Sequence, residues 1–230
     1  MKKHLFTIFL LISAVCFGQD NYARGEDLFM QNKPAEAIVF LENSIAENSG
    51  DVMAFLYLGI AYEQTGRIDE AIAVYRRVLG NAGDLTAHVA NNLGNAYFKK
   101  GAAEEAEVMY TQALAADRVY APAYLGRANA RVKKGSPLDA VSDYEQYLLL
   151  EPRAPQRANI ERLVAFIKAE SVEAERRRLV AEEAARAEAE RRQRLLDEVS
   201  ASLQSAAGAS QGLSSGAEDV EGYDGEFELE

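Results

Sequence analysis

The stretch that decides the fold is residues 58–78, which read LGIAYEQTGRIDEAIAVYRRV. Apolar side chains recur every three or four residues on both sides of Gly66, which is the pattern of two amphipathic helices. Glycine tolerates the left-handed backbone conformation that ends many helices, so Gly66 predicts a tight turn between them. The stretch therefore predicts a helical hairpin.

Similar phrases recur along the chain at intervals of 34, 35 and 34 residues. They are residues 34–38 (PAEAI), 68–72 (IDEAI), 103–107 (AEEAE) and 138–141 (LDAV), aligned on Ala37, Ala71, Ala106 and Ala140. A residue suited to a left-handed turn precedes each phrase; these residues are Asn32, Gly66, Gly101 and Gly135. One hairpin cannot bury its own apolar face, so the repetition predicts stacked hairpins with a continuous core.

This pattern resembles the tetratricopeptide repeat family, whose unit is about 34 residues long. The resemblance implies an all-α solenoid of helix hairpins. Aligning on the alanines gives four repeats, which are residues 18–51, 52–86, 87–120 and 121–152. The second matches the family pattern best. The fourth departs from it, because Arg127 and Ala128 replace the usual Leu-Gly and Arg131 replaces an aromatic residue.

The chain changes character after Pro152. Apolar residues at helical spacing over 153–170 predict a capping helix on the last repeat. Residues 171–199 are rich in Ala, Glu and Arg and predict a long charged helix, either solvated or paired as a coiled coil. Residues 200–230 hold seven acids and no bases, and their Ser, Gly and Ala content predicts a disordered acidic tail. The end of this tail alternates acidic and apolar residues, which also suits a short docking motif.

The first 18 residues have the composition of a secretory signal peptide. Lys2 and Lys3 precede an apolar run over residues 5–15, and Gly18 stands before the expected cleavage site. We therefore expect export to the periplasm of a bacterium with two membranes. The alternative is a lipoprotein acylated at Cys16, although Ser13 and Val15 depart from the usual lipoprotein pattern. The protein would be attached to a membrane only in that case.

Composition argues against several functional classes. The formal net charge of −11 disfavours nucleic-acid binding. One cysteine and two histidines leave no basis for a cysteine-rich metal site, and nothing in the sequence calls for a metal or another cofactor. No catalytic triad or phosphate-binding loop can be placed by spacing, so we expect a protein that is not an enzyme.

In the tetratricopeptide repeat family, the first helices of successive repeats line a concave groove. The resemblance implies a groove that is mainly apolar in its N-terminal half and rich in amides in its C-terminal half. The residues carried over by position are Tyr22, Glu26, Phe29, Met30, Met53, Leu56, Ile60, Glu63, His88, Asn91, Asn92, Asn95, Phe98, Leu125, Asn129 and Lys133. The amides of Asn91, Asn95 and Asn129 could hold a peptide backbone, or they could serve hydrogen bonds within the protein.

These observations predict a scaffold of the bacterial envelope that binds an extended segment or helix of a partner protein in the groove. One alternative is a structural subunit in which the long helix pairs two chains. Another is an accessory subunit of a small-ligand system. A clamp for chaperone C-termini is not expected, because Tyr22 and Glu26 stand where that branch of the family has its first clamp residues.

Overall fold

The computed structural model describes residues 21–215, and this part of the chain is helical with no strand. It confirms the all-α solenoid of helix hairpins. The chain divides into two compact units, of which the first ends at Ala169 and the second begins at Glu170. Within the described residues the helices are α1 (residues 21–30), α2 (Pro34–Glu47), α3 (Val52–Gln64), α4 (Ile68–Leu79), α5 (Thr86–Lys100), α6 (Ala103–Ala116), α7 (Ala121–Lys133), α8 (Pro137–Leu150) and α9 (Arg157–Ser215).

Each hairpin turns at the residue that the sequence predicts. In all four hairpins the first or second residue after the first helix has a positive φ, namely Asn32 (59°), Gly66 (78°), Gly101 (92°) and Gly135 (89°). Three of the four are glycine, which has no Cβ to clash in this conformation. The two helices of a hairpin are therefore joined by only two or three residues, and they must pack side by side.

Close packing between the helices depends on glycines that face tyrosine rings. A Cβ added at Gly59 would lie 2.3 Å from the ring of Tyr75, which is fully buried. Tyr110 is enclosed in the same way by Gly94 and Gly126, whose added Cβ atoms would lie 2.8 and 2.4 Å from it. Each ring thus occupies the volume that a side chain at the glycine would need, which fixes the distance between the backbones.

The first helices of successive hairpins also contact one another. Helix α5 contacts both α3 and α7. Aromatic rings join α1 to α3, since the centroid of the Phe29 ring lies 5.1 Å from that of Tyr57. In a curved stack the helices on the inner side are the ones that meet their counterparts in adjacent repeats. The solvent-accessible side of α1, α3, α5 and α7 is therefore called the first-helix face below.

The unusual residues of the fourth repeat form a buried charge network. Arg127 donates two hydrogen bonds to Asp143 on α8, at 2.9 and 2.7 Å, and the side chain of Asp143 is only 4% exposed. Arg131 bridges Asp143, at 2.9 Å, and Glu107 on α6, at 2.7 Å. Burial acts in the opposite direction, but hydrogen bonds from Lys134 and Arg131 hold the pKa of Glu107 below its usual value. Complementary charges thus replace the family's apolar contacts between α6, α7 and α8.

Helix α9 differs from the sequence-based division of residues 153–230. The predicted capping helix (153–170) and long charged helix (171–199) are parts of one helix that begins at Arg157. Its first turns bury Ile160 and Val164 in a cluster with Tyr144 and Leu148 of α8.

The predicted disordered tail is wrong for residues 200–215, which continue this helix to Ser215. These residues contain no proline, and their two glycines, Gly208 and Gly212, come well after residue 200, so no strong stop signal ends the helix at residue 200.

Ion pairs in the second unit connect neighbouring turns of α9. The sequence places glutamates four residues before arginines at several points of this helix. In one such pair, a carboxylate oxygen of Glu190 lies 3.6 Å from the guanidinium group of Arg194. Other arginines of this helix pair at different spacings. Arg178, for example, forms ion pairs with both Glu175 and Glu182. The predicted signal peptide with Cys16, and residues 216–230 of the predicted tail, lie outside the residues that the structure describes.

Candidate functional site

Two asparagines of the first-helix face are held by tyrosines of the second helices. The hydroxyl of Tyr110 donates to Oδ1 of Asn95 at 2.8 Å, and the hydroxyl of Tyr144 donates to Oδ1 of Asn129 at 2.7 Å. An asparagine amide has one oxygen and an NH2 group, so fixing the oxygen also fixes the NH2 group. Each amide therefore keeps two N–H donors for other acceptors. Asn129 is exposed and Asn95 is half-buried.

In the second repeat the equivalent tyrosine, Tyr75, donates its hydrogen bond to a different kind of residue. Ile60 occupies the place of Asn95 and Asn129, and the hydroxyl of Tyr75 instead donates to Glu63 at 2.8 Å. The other carboxylate oxygen of Glu63 lies 2.7 Å from the amino group of Lys99. Burial strongly raises the pKa of Tyr75, and the charge of Glu63 and the hydrogen bond between Tyr75 and Glu63 act in the same direction. Both carboxylate oxygens of Glu63 therefore have partners within the protein.

Two tyrosines contact Glu26 at the N-terminal end of the face, and a phenylalanine packs against one of them. The hydroxyls of Tyr22 and Tyr57 both donate to Oε1 of Glu26, at 3.4 and 3.1 Å. The ring of Tyr57 also lies 5.1 Å from that of Phe29 and 6.4 Å from that of Tyr22. We call these four residues the aromatic cluster. Sequence analysis missed Tyr57, although its spacing from Met53 and Ile60 places it on the same side of α3.

Two of the residues carried over from the family pattern lie in the interior. Leu56 is 6% exposed and Asn91 is 5% exposed, so neither presents its side chain to a ligand on the surface. The amide nitrogen of Asn91 reaches Oδ1 of Asn92 at 3.5 Å, and its own Oδ1 accepts no hydrogen bond from a described residue. The amide surface is accordingly formed by Asn95 and Asn129.

The other residues that the family resemblance assigns to the groove are exposed or partly buried. The amino group of Lys133 donates to the Phe98 carbonyl at 3.2 Å and lies 4.7 Å from the centre of the Phe98 ring. His88 is exposed, and its ring packs edge-on against Tyr120 at 4.8 Å. Partly buried apolar residues of the face flank the core; they are Phe29, Met53, Ile60, Phe98 and Leu125. Met30 is 73% exposed.

Other kinds of site were sought across the described residues. Residues 21–215 contain no group of three His, Cys, Asp or Glu side chains that could hold a metal ion. No helix in this part of the chain is both long enough and apolar enough to cross a membrane.

Comparison with known proteins identifies the repeats. Residues 51–119 match the tetratricopeptide repeat family. RNA polymerase II-associated protein 3 of Mus musculus is 38% identical over 111 residues, which are 48% of this chain and 17% of that protein. The chain thus spans about a sixth of the length of this relative.

A solved crystal structure has the same fold. The crystal structure of MamA protein superposes with a TM-score of 0.56 at 20% identity, covering 64% of this chain and 79% of MamA. The first TPR of Spaghetti (RPAP3) bound to HSP90 peptide SRMEEVD shows 30% identity and a TM-score of 0.47, covering 51% of this chain and 92% of that one. The chain therefore resembles tetratricopeptide repeat proteins over residues 51–119, and it has their fold. The matched residues are of the repeat type that forms protein-interaction scaffolds.

Proposed function

We propose that the first-helix face binds an extended segment of a partner protein, with the amides of Asn95 and Asn129 donating to its backbone carbonyls. The observation that carries this proposal is the tyrosine-to-asparagine hydrogen bond, which recurs at equivalent positions of the third and fourth repeats. A prearranged donor loses less entropy on binding than a freely rotating one. Backbone carbonyls occur in every peptide, so these donors supply affinity without selecting a sequence.

Side-chain recognition falls to the N-terminal half of the same face. Phe29, Met53 and Ile60 are partly buried apolar residues that pack against one continuous core cluster. They offer apolar contact area beside the fixed amides, and binding sites commonly combine apolar walls with a few placed polar groups. An extended segment lying along α1, α3, α5 and α7 would meet both kinds of surface.

Peptide selection on the full chain tests this proposal. A displayed library of random linear peptides supplies a binder, and fluorescence anisotropy gives its Kd. Replacing Asn95 and Asn129 together with alanine removes two hydrogen bonds of about 1 kcal/mol each, so the Kd should rise about 30-fold. Asn43→Ala, an exposed asparagine on α2, is the matched control and should leave the Kd unchanged. An unchanged Kd in the double variant, with helicity intact, would remove the amides from the proposal.

Tyr110→Phe provides a separate test of prearrangement. It deletes the hydroxyl that holds Asn95 but keeps the ring between Gly94 and Gly126. The amide can then rotate, so the Kd should rise by a factor of about three to five. Equal affinity in Tyr110→Phe and the wild type would show that the orientation of Asn95 is unimportant.

We further propose that the protein acts in the periplasm as part of an envelope assembly. The support is the sequence of residues 1–18, with its basic start and short apolar run. Mass spectrometry of the protein purified from its host is the test. A mass that begins at residue 19 supports cleavage and export, and a lipid adduct on Cys16 supports the anchored form. An intact N-terminus on a soluble protein would contradict both.

A second candidate function, pairing of two chains through α9, is favoured by one specific observation. Several large apolar side chains of the second unit are more than half exposed; they are Val172, Leu179, Val180, Leu195, Leu196, Val199 and Leu203. Sedimentation equilibrium of the full chain separates the two candidates. A dimer that becomes a monomer when Leu195, Val199 and Leu203 are replaced with serine would support pairing, and a wild-type monomer would refute it.

A further inference from the structure

The aromatic cluster contains a carboxylate with unused acceptor capacity. Both tyrosine hydroxyls donate to Oε1 of Glu26, and no described residue donates to Oε2. A carboxylate group can accept about four hydrogen bonds. Glu26 is half-buried, so it has lost part of its hydration without gaining a full set of protein partners.

Several buried or half-buried carboxylates of the repeats pair with cations of the same chain. Glu63 pairs with Lys99, Glu107 with Arg131, and Asp143 with two arginines. Over residues 21–208, Glu26 forms no ion pair with any lysine, arginine or histidine. Its hydrogen-bond partners are Tyr22 and Tyr57, and Tyr57 is in ring contact with Phe29; aromatic rings attract cations to their electron-rich faces.

We propose that the aromatic cluster binds the side chain of a lysine or arginine of the partner protein. The cation would pair with Oε2 of Glu26, and its alkyl chain would lie against the rings of Phe29 and Tyr57. The inference rests on the proposed function, since the cluster lies at the N-terminal end of the same first-helix face and is met by the same extended segment.

Charge complementarity supports this occupant over an acidic or an apolar one. Residues 21–70, which include the cluster, hold nine acidic and three basic side chains, so a basic partner segment is attracted to this end of the face. Burial, followed by the charge of Glu26, raises the pKa of Tyr22 to about 12, and the carboxylate of Asp51 contributes to the same shift. The tyrosines therefore remain neutral donors that hold Glu26 in place near pH 7. A carboxylate brought here would be repelled.

The experiment uses the full chain labelled with 13C at its tyrosine rings. The probes are Nα-acetyl-lysine methylamide and its neutral analogue, Nα-acetyl-norleucine methylamide. We expect the ring signals of Tyr22 and Tyr57 to shift saturably with the lysine compound at millimolar concentrations, and at least about tenfold more weakly with norleucine. Equal responses to the two compounds, or no response to lysine, would overturn the inference.

Two charge-neutralising variants sharpen this test. Glu26→Gln keeps acceptors for the tyrosines but removes the charge, so lysine affinity should fall about tenfold. Glu42→Gln is the matched control, because Glu42 accepts from the hydroxyl of Tyr62 outside the cluster, and it should bind lysine as the wild type does. Wild-type lysine affinity in Glu26→Gln would also overturn the inference.

The outcomes for the cation site and for the groove are separable. If selected peptides bind through Asn95 and Asn129 but lysine fails to shift the rings, only the cation site is wrong. If lysine binds with dependence on Glu26 but no library peptide binds the chain, the proposed peptide groove is wrong. Among selected peptides, enrichment of lysine or arginine at one position that disappears with Glu26→Gln would support both.

Discussion

The contact between Gly59 and Tyr75 allows a quantitative test of the packing. In Gly59→Ala the new Cβ would lie 2.3, 2.4 and 2.9 Å from three ring carbons of Tyr75. Carbon atoms in contact prefer about 3.5–4.0 Å, so the ring would have to move by about 1 Å. Tyr75 is fully buried, and such a movement would also strain its hydrogen bond to Glu63. Overpacking of this kind costs about 3 kcal/mol, and the better helix propensity of alanine returns about 1 kcal/mol.

The net destabilisation of about 2 kcal/mol should lower the midpoint of thermal unfolding by about 4–8 °C. Circular dichroism at 222 nm provides the measurement. Gly80→Ala is the control, because Gly80 has an ordinary φ of −67° and open space around its Cβ position, so its Tm should change little. In a Tyr75→Leu background the penalty of Gly59→Ala should largely disappear. If Gly59→Ala is as stable as Gly80→Ala, the close approach of α3 and α4 is not as described.

Further predictions concern charge, pH and helix length. Asp143→Ala should cost about 3 kcal/mol in urea unfolding, because it leaves two arginines unpaired in a buried site; a loss below about 1 kcal/mol would contradict the network. Alkali should destabilise the fold. Burial is the main reason that the pKa of Tyr22 and of Tyr62 is raised from 10 to about 12, so the stability this provides is complete below pH 10 and is lost as pH rises through 12. Phenolate absorbance at 295 nm should therefore appear late, together with unfolding. Truncation after Val199 should reduce the helical signal per molecule, whereas a disordered segment beyond it would leave that signal unchanged.

The parts of the fold that sequence predicts well are those set by local chemistry. Asn32, Gly66, Gly101 and Gly135 were identifiable because a left-handed turn strongly restricts the residue type. Gly59 and Gly94 stand at equivalent positions, and each meets the tyrosine at the equivalent position of its own hairpin, whereas Gly126 lies outside this spacing.

Features that depend on a partner far away in the sequence are harder to predict from the sequence. Arg127 looked like a departure from the family pattern until its partner, Asp143, appeared on the next helix. The tyrosine-to-asparagine bonds depend on how far one helix is rotated against another, which periodicity alone does not specify. For the same reason Asn91 was placed on the surface although it is buried.

The C-terminal helix shows how composition can mislead. Serine and glycine beyond residue 200 suggested disorder, yet alanine, leucine and glutamine in the same segment favour helix, and no proline interrupts it. A helix already formed extends at low cost because each further residue adds one hydrogen bond without a new nucleus.

The central claim, that the first-helix face is the binding surface, is tested most directly by mapping amide chemical-shift changes when a library-selected peptide is added to the 15N-labelled full chain. We predict that the largest changes fall on α1, α3, α5 and α7, including the side-chain NH2 signals of Asn95 and Asn129. Changes confined to α2, α4, α6 and α8, or to α9, would contradict the claim.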